Sequence, residues 1–210
     1  VKRSEYLKAW DAEYRKQGRL WTGKQADVPE MPAGTMVLEL GCGDGKTLSA
    51  LARKGIDIYG IDISPAALTI ARKALVRDGR DAELVQGDVT ALPFDDEAFD
   101  AVVAFHILDH VYEEDREAAA EEVLRTLVPG GKVYFRGFSR GDLRAKKGEL
   151  VEDATVMRGN GILYHYFELH EVKALFAGFE AIDVKTRKWK MGGKEALTRT
   201  FILGEFEKAL

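Results

Sequence analysis

A single cysteine, Cys42, occurs in 210 residues. That excludes an intrachain disulfide framework and a cysteine-based zinc site. A lone thiol fits a reducing compartment, and the expectation is a cytoplasmic protein. Apolar runs do not exceed strand length, so no membrane partner is expected. Residues 1–21 lack the apolar stretch of a secretory leader. Positive charge is not in excess either: 31 Lys+Arg against 35 Asp+Glu give a net charge of −4, which argues against non-specific nucleic-acid binding. The distribution is uneven, with 16 basic and 24 acidic residues in 1–131 against 15 and 11 in 132–210. The basic tilt of the last third is too slight to name a partner. Repeats and low-complexity segments are absent, and 46% apolar residues suffice for one core, so 1–210 reads as a single domain.

What is present is an alternation of short apolar runs and helical-period segments from residue 36, the pattern of a parallel α/β sheet. Strands are expected at 36–40, 57–62, 82–88, 99–108 and 132–138, with helices at 46–55, after Ser64-Pro65, and at 113–131. Ser64 is the expected N-cap and Pro65 the first helical residue. Residues 139–163 are polar and unpatterned; with the segment up to 167 they read as an insertion or lid before a helix at 169–178. Two late strands, 180–190 and 196–208, are joined only by MGGKE, so they must be antiparallel neighbours. Residues 1–35 read as a helical cap, with Tyr6, Trp10, Tyr14 and Trp21 near helical spacing.

The stretch VLELGCGDGKT (37–47) is a strand breaking into glycines before a helix. Glycines there let a ligand approach the backbone, and the helix start offers free N–H groups. The dinucleotide fingerprint G-x-G-x-x-G fails, because Lys46 stands where its third glycine belongs; a P-loop would need a glycine at the same place. Glu39 lies two residues before the first glycine in a buried strand, where a carboxylate needs a cationic or N–H partner. Asp62 ends the second strand, about 20 residues on, where an acid bonds ribose hydroxyls. With Asp44 also acidic, the cradle suits a cationic nucleoside without phosphates.

ELGCGDG, GIDIS, QGDVTALPFDDEAFDAVV and LVPGGKVYF, in this order and spacing over residues 36–138, resemble the class I S-adenosylmethionine-dependent methyltransferases. The resemblance implies a Rossmann-like three-layer α-β-α sandwich whose seven-stranded, mostly parallel sheet has the order 3-2-1-4-5-7-6, strand 7 antiparallel. It implies S-adenosylmethionine as cofactor and S-adenosylhomocysteine as product. By position it assigns Glu39, Gly41, Cys42 and Gly43 to the methionine half, Asp62 to the ribose, Ile63 to the adenine face, Asp88 to the adenine amino group and Val89 to the ring through its N–H. Phe105 and His106 are to close the methionine side, with Tyr14 and Trp21 as a cap over the cofactor.

Methyl transfer needs a base only if the acceptor arrives protonated, and the candidates follow strand four as His110 and Asp109. Tyr164, His165 and Tyr166 are candidates for an acceptor pocket. The signature [DNS]-P-P-[YFW] of nucleic-acid amino-methyltransferases is replaced by HILDH, and no acidic trio for a metal is evident. The expected acceptor is therefore a small molecule. A tRNA-modifying enzyme of the wobble-uridine type is the alternative, resting on Y-H-x-F at 164–167 and on Arg140, Arg144, Lys146, Lys147, Arg187, Lys188 and Lys190. A nicotinamide-dependent oxidoreductase and a non-catalytic cofactor-binding protein rank below both.

Overall fold

The computed structural model describes residues 3–20, 27–145, 147–190 and 198–210, with side chains from residue 8 onward. Trp21, Lys146 and the MGGKE link lie outside the described residues. The chain opens with α1 (Arg3–Gln17) and then alternates: β1 (Met36–Leu40), α2 (Lys46–Ala52), β2 (Asp57–Asp62), α3 (Pro65–Arg77), β3 (Glu83–Gln86) and β4 (Phe99–Phe105). A 3₁₀ turn (Leu108–His110) leads into α4 (Glu113–Thr126) and β5 (Leu127–Phe138). After β6 (Glu149–Glu152), β7 (Thr155–Met157) and β8 (Leu163–His165) come α5 (Leu169–Leu175), β9 (Glu180–Lys190) and β10 (Thr198–Glu207).

Seven strands form one sheet in the order β3-β2-β1-β4-β5-β10-β9. Counted within that sheet this is the expected 3-2-1-4-5-7-6. β1 pairs in parallel with β2 and β4, as does β4 with β5, while β10 runs antiparallel to both its neighbours. One core lies on the face covered by α4 and α5, with Leu38, Leu40, Phe135, Phe176 and Phe206 buried. A second lies under α2 and α3, around Val37, Leu48, Leu51 and Val103. The order reverses between β1 and β4, and at that switch point the carboxyl ends of the strands open the crevice where ligands of α/β sheets bind.

Local chemistry sets the element ends. Ser64 caps α3, its Oγ accepting from the Ala67 N–H at 3.0 Å, with Pro65 at the first position. The same hydroxyl donates to Asp11 Oδ1 (2.8 Å), which also accepts from the Ala66 N–H (3.0 Å). Asp11 thereby docks α1 on the positive end of α3. The helix expected over 113–131 stops at Thr126. Pro129 cannot donate and disfavours helical backbone before it, so the chain turns extended at Leu127 and pairs with Phe99.

The segment expected to be an unpatterned loop instead carries a small antiparallel sheet, β6-β7-β8. Its strands are three or four residues long, too short for alternation to register. The β7–β8 turn closes through the Arg158 N–H to the Ile162 carbonyl (3.0 Å), with Gly161 at φ +78°. Thr155, Val156, Leu163, His165 and Tyr166 are buried, so this sheet packs against the body.

Candidate functional site

The glycine turn has the left-handed backbone that only glycine adopts freely: φ is +61° at Gly41, +53° at Gly43 and +79° at Gly45. A Cβ on Gly43 would stand 2.5 Å from the Tyr14 hydroxyl, and one on Gly41 would stand 2.6 Å from Ile107 Cδ1. Tyr14 from α1 and Ile107 from the β4 end therefore close over the turn. Tyr14 is expected as a cover from the family resemblance, whereas Ile107, whose type carries no chemical signal, is assigned no role.

Asp62 is buried at the end of β2, and both its oxygens are used. Oδ2 accepts from the Gly43 N–H and Oδ1 from the Ser64 N–H, each at 2.8 Å. The carboxylate thus ties the glycine turn to the start of α3. Burial raises its pKa to about 6, opposed by those two N–H groups. Glu39 lies beneath the turn, 4% exposed, and its Oε2 is buried without a partner. Burial holds this carboxyl well above the ordinary range, against the Thr47 hydroxyl and Leu48 N–H that bond it. Cys42 is buried and its thiol is pushed up, chiefly by burial, so it is an inert filler in the turn.

The ends of β2 and β3 sit together, the Gly87 N–H donating to the Asp62 carbonyl at 3.2 Å. Ile63, Asp88 and Val89 are consequently neighbours along one rim. Asp88 Oδ1 accepts from the Thr90 N–H (3.0 Å) and hydroxyl (2.9 Å), an Asx-type turn that fixes the loop. Phe105 packs on the α2/α3 side with the Arg136 guanidinium 4.2 Å from its ring centroid.

Beyond the turn the structure separates the residues expected to act together. Asp109 does not serve His110. Its Oδ2 lies 2.9 Å from His106 Nδ1, and its Oδ1 accepts from the Phe138 N–H at 2.7 Å. His106 adopts φ +57°, a costly backbone for a residue with a Cβ, and stacks on Phe138 at 4.6 Å between ring centroids. His110 Nδ1 instead donates to the Leu163 carbonyl at 2.6 Å, fixing β8 to the 3₁₀ turn. Burial pushes its pKa down to about 4, so the ring is neutral, and its Nε2 is buried without a partner.

Trp10 meets His110 edge-on at 4.8 Å and Tyr14 at 5.9 Å. Tyr164 also meets His110 edge-on at 4.9 Å, and Phe138 stacks with Tyr164 at 6.2 Å. A continuous ring-lined wall therefore runs from the glycine turn through Tyr14, Trp10 and His110 to the small sheet. Tyr166 belongs to it, packed on Phe138 with its hydroxyl donating to the Arg144 carbonyl. His165 does not: on a strand it faces away from Tyr164 and Tyr166, and bonds Thr155 Oγ1 (2.8 Å) and Glu171 Oε1 (2.5 Å). It fastens β8 to β7 and α5. Among the described residues no cluster of His, Cys, Asp or Glu has metal-binding geometry, and no helix is long and apolar enough to cross a membrane.

The cradle fits S-adenosylmethionine on its own geometry. The orphan Glu39 oxygen and the side-chain-free backbone of Gly41 and Gly43, which Ile107 and Tyr14 close over, suit an ammonium-bearing methionine half, and the acidic β2 end suits a ribose.

Comparison with known proteins adds three findings. Residues 38–135 match the family model described as a methyltransferase domain. The chain is 36% identical over 121 residues to a demethylmenaquinone methyltransferase of Clavibacter sepedonicus, covering 58% of this chain and 48% of that protein. It is 28% identical over 198 residues to a tRNA N(3)-cytidine methyltransferase of Gallus gallus, covering 87% and 54%. The chain thus spans about half the length of these curated relatives. Among solved structures, a SAM-dependent methyltransferase from Methanosarcina mazei superposes with a TM-score of 0.74 at 24% identity, covering 86% of this chain and 95% of that one.

Proposed function

Residues 38–135 belong to the class I S-adenosylmethionine-dependent methyltransferase family, and from that premise we propose that the chain methylates a small molecule held beside the carboxyl ends of β4 and β5. The observation that carries this reading is the ring-lined wall continuous with the glycine turn, from Tyr14 through Trp10 and His110 to Tyr164.

Bound in the cradle, S-adenosylmethionine supplies a methyl group already activated on a sulfonium. The protein's task is then alignment and exclusion of water, which can supply several kcal/mol of the barrier without a covalent step. Gly41, Gly43 and Asp62 place the donor, Glu39 takes its ammonium, and Tyr14 and Ile107 cover it. Phe138, Tyr164 and Tyr166 flank the acceptor. The proton from the attacking atom passes to His106 Nε2: Asp109 holds Nδ1–H, leaves Nε2 as the lone pair, and stabilises the charge the ring acquires. His110, its pKa pushed down to about 4 by burial, is neutral near pH 7 and a poor proton acceptor, and serves as a hydrogen-bond acceptor instead.

A second reading has support in β9, an exposed edge strand carrying Lys185, Arg187, Lys188 and Lys190 beside Trp189, which is 64% exposed. Basic side chains with an aromatic ring suit a polynucleotide, and a tRNA methyltransferase is among the relatives. Filter binding of bulk tRNA at two salt concentrations separates the readings: salt-insensitive or absent binding removes tRNA. The primary reading is tested by transfer of labelled methyl from S-adenosylmethionine to a panel of phenols, quinols, amines and thiols.

A further inference from the structure

We propose that the acceptor is a small carboxylate with a planar, hydroxyl- or amino-bearing body, recognised by Arg158 and His110 on either side of its polar groups. The inference rests on the methyl-transfer reading, because the wall that carries these residues is the one that leads from the cofactor cradle.

Arg158 opens the β7–β8 turn. Its guanidinium lies 3.7 Å from the Tyr164 ring centroid, and one terminal nitrogen donates to the Tyr166 hydroxyl at 3.2 Å. Its Nε is buried, and among the described residues it has no hydrogen-bond partner and no carboxylate pairs with the guanidinium. The neighbouring arginines differ: Arg140 is paired with Asp153, and Arg199 with Asp142 at 2.7 Å. A cation held against a ring with a buried donor unused is costly unless a ligand supplies the counter-charge.

His110 provides the complementary orphan. It is 4% exposed and packs edge-on against the same Tyr164. Because Nδ1 donates to the Leu163 carbonyl, Nε2 carries a lone pair that no described residue meets. One unpaired donor beside a positive charge and one unpaired acceptor thus share a single aromatic neighbour. A ligand that satisfies both carries a carboxylate for Arg158 and a polar hydrogen for His110. Tyr164 and Phe138 stack on each other at 6.2 Å between ring centroids, and this paired aromatic patch favours a planar body lying beside it. Fork-shaped recognition by arginine is also why a carboxylate is expected rather than a compact point charge.

The test is a calorimetric titration of the full chain saturated with S-adenosylhomocysteine. The titrants are protocatechuate (a dihydroxybenzoate), the matching dihydroxybenzyl alcohol and inorganic phosphate. The expected result is binding of protocatechuate at least about tenfold tighter than the alcohol or phosphate, the loss expected when one charge-assisted hydrogen bond is missing. Arg158→Gln should erase that preference and leave S-adenosylhomocysteine affinity unchanged; Arg158→Lys should keep part of it. On the unaltered chain, the His110 Nε2 resonance should move when protocatechuate binds, which does not depend on how the variants fold. No saturable protocatechuate binding, equal binding of the alcohol or phosphate, or an unmoved His110 signal would overturn the proposal. Failure of S-adenosylhomocysteine itself to bind strikes the methyl-transfer reading instead, and the same titration records it separately.

Discussion

Asp109 holds His106, three residues before it, and not the adjacent His110: the Oδ2–Nδ1 distance is 2.9 Å and the carboxylate is fully buried. In an extended strand neighbours point apart, but here β4 has ended. The 3₁₀ turn at 108–110 brings residue 109 back under residue 106, and the left-handed backbone of His106 completes the reversal. Asp109→Asn keeps an oxygen for the Phe138 N–H and removes the charge that stabilises a protonated His106. With any acceptor the chain methylates, the rate should fall about a hundredfold or more. S-adenosylhomocysteine affinity should change little. An unchanged rate would remove His106 from the proton path.

His110 makes stability depend on pH in a defined direction. Its pKa is depressed to about 4 by burial, with Asp109, His106 and Arg158 the charges facing it. The stability it contributes is fully present above the ordinary histidine value and is lost as pH falls toward 4. The loss is on the order of 3 kcal/mol. His110→Gln has no such proton to bind. In urea unfolding at pH 7 the variant should be the less stable, and the gap should narrow steadily on acidification. A gap constant with pH would contradict the buried neutral ring.

Asp62 acts in the opposite sense. Its raised pKa of about 6 means that its contribution to the ligand-free protein is present below the ordinary carboxylate value and is lost as pH rises toward 6. Ligand binding wants the ionised form, so S-adenosylhomocysteine should bind more weakly below pH about 6. Asp62→Ala should abolish the rise in melting temperature that the ligand produces. A pH-independent affinity would place the ribose elsewhere.

Gly43 tests the cover over the turn. Gly43→Ala puts a Cβ 2.5 Å from the Tyr14 hydroxyl at φ +53°, and should destabilise the protein by about 1–2 kcal/mol. Adding Tyr14→Phe removes the clashing oxygen and should recover part of the loss, because the backbone strain remains. Melting temperatures of the single and double variants measure this directly. Additive losses would mean that Tyr14 does not close on Gly43.

The sheet was legible because its signals are long and linked. Five strands, the capped helix at Pro65 and the short link between the two late strands each constrain the chain locally, while the strand order was implied by the resemblance to the class I methyltransferases. The ends of β4 and α4 were not, since a 3₁₀ turn and an extended Leu127 look like continuations of the elements before them. The small sheet was missed because its strands are three or four residues long. Within the site, Glu39, Gly41, Gly43 and Asp62 could be placed because each residue type is costly there without a reason. The pairing of Asp109 with His106, the outward turn of His165 and the cover by Ile107 depend on backbone direction, which no residue type announces.

Methyl transfer to a small acidic acceptor is decided by the partition of a labelled methyl group. The chain is incubated with methyl-labelled S-adenosylmethionine, a mixture of small hydroxylated carboxylic acids with their neutral counterparts, and bulk tRNA. The expected result is label in a low-molecular-mass carboxylate, and none with Asp62→Ala. Label confined to tRNA, or tight cofactor binding with no transfer to any acceptor, would contradict it.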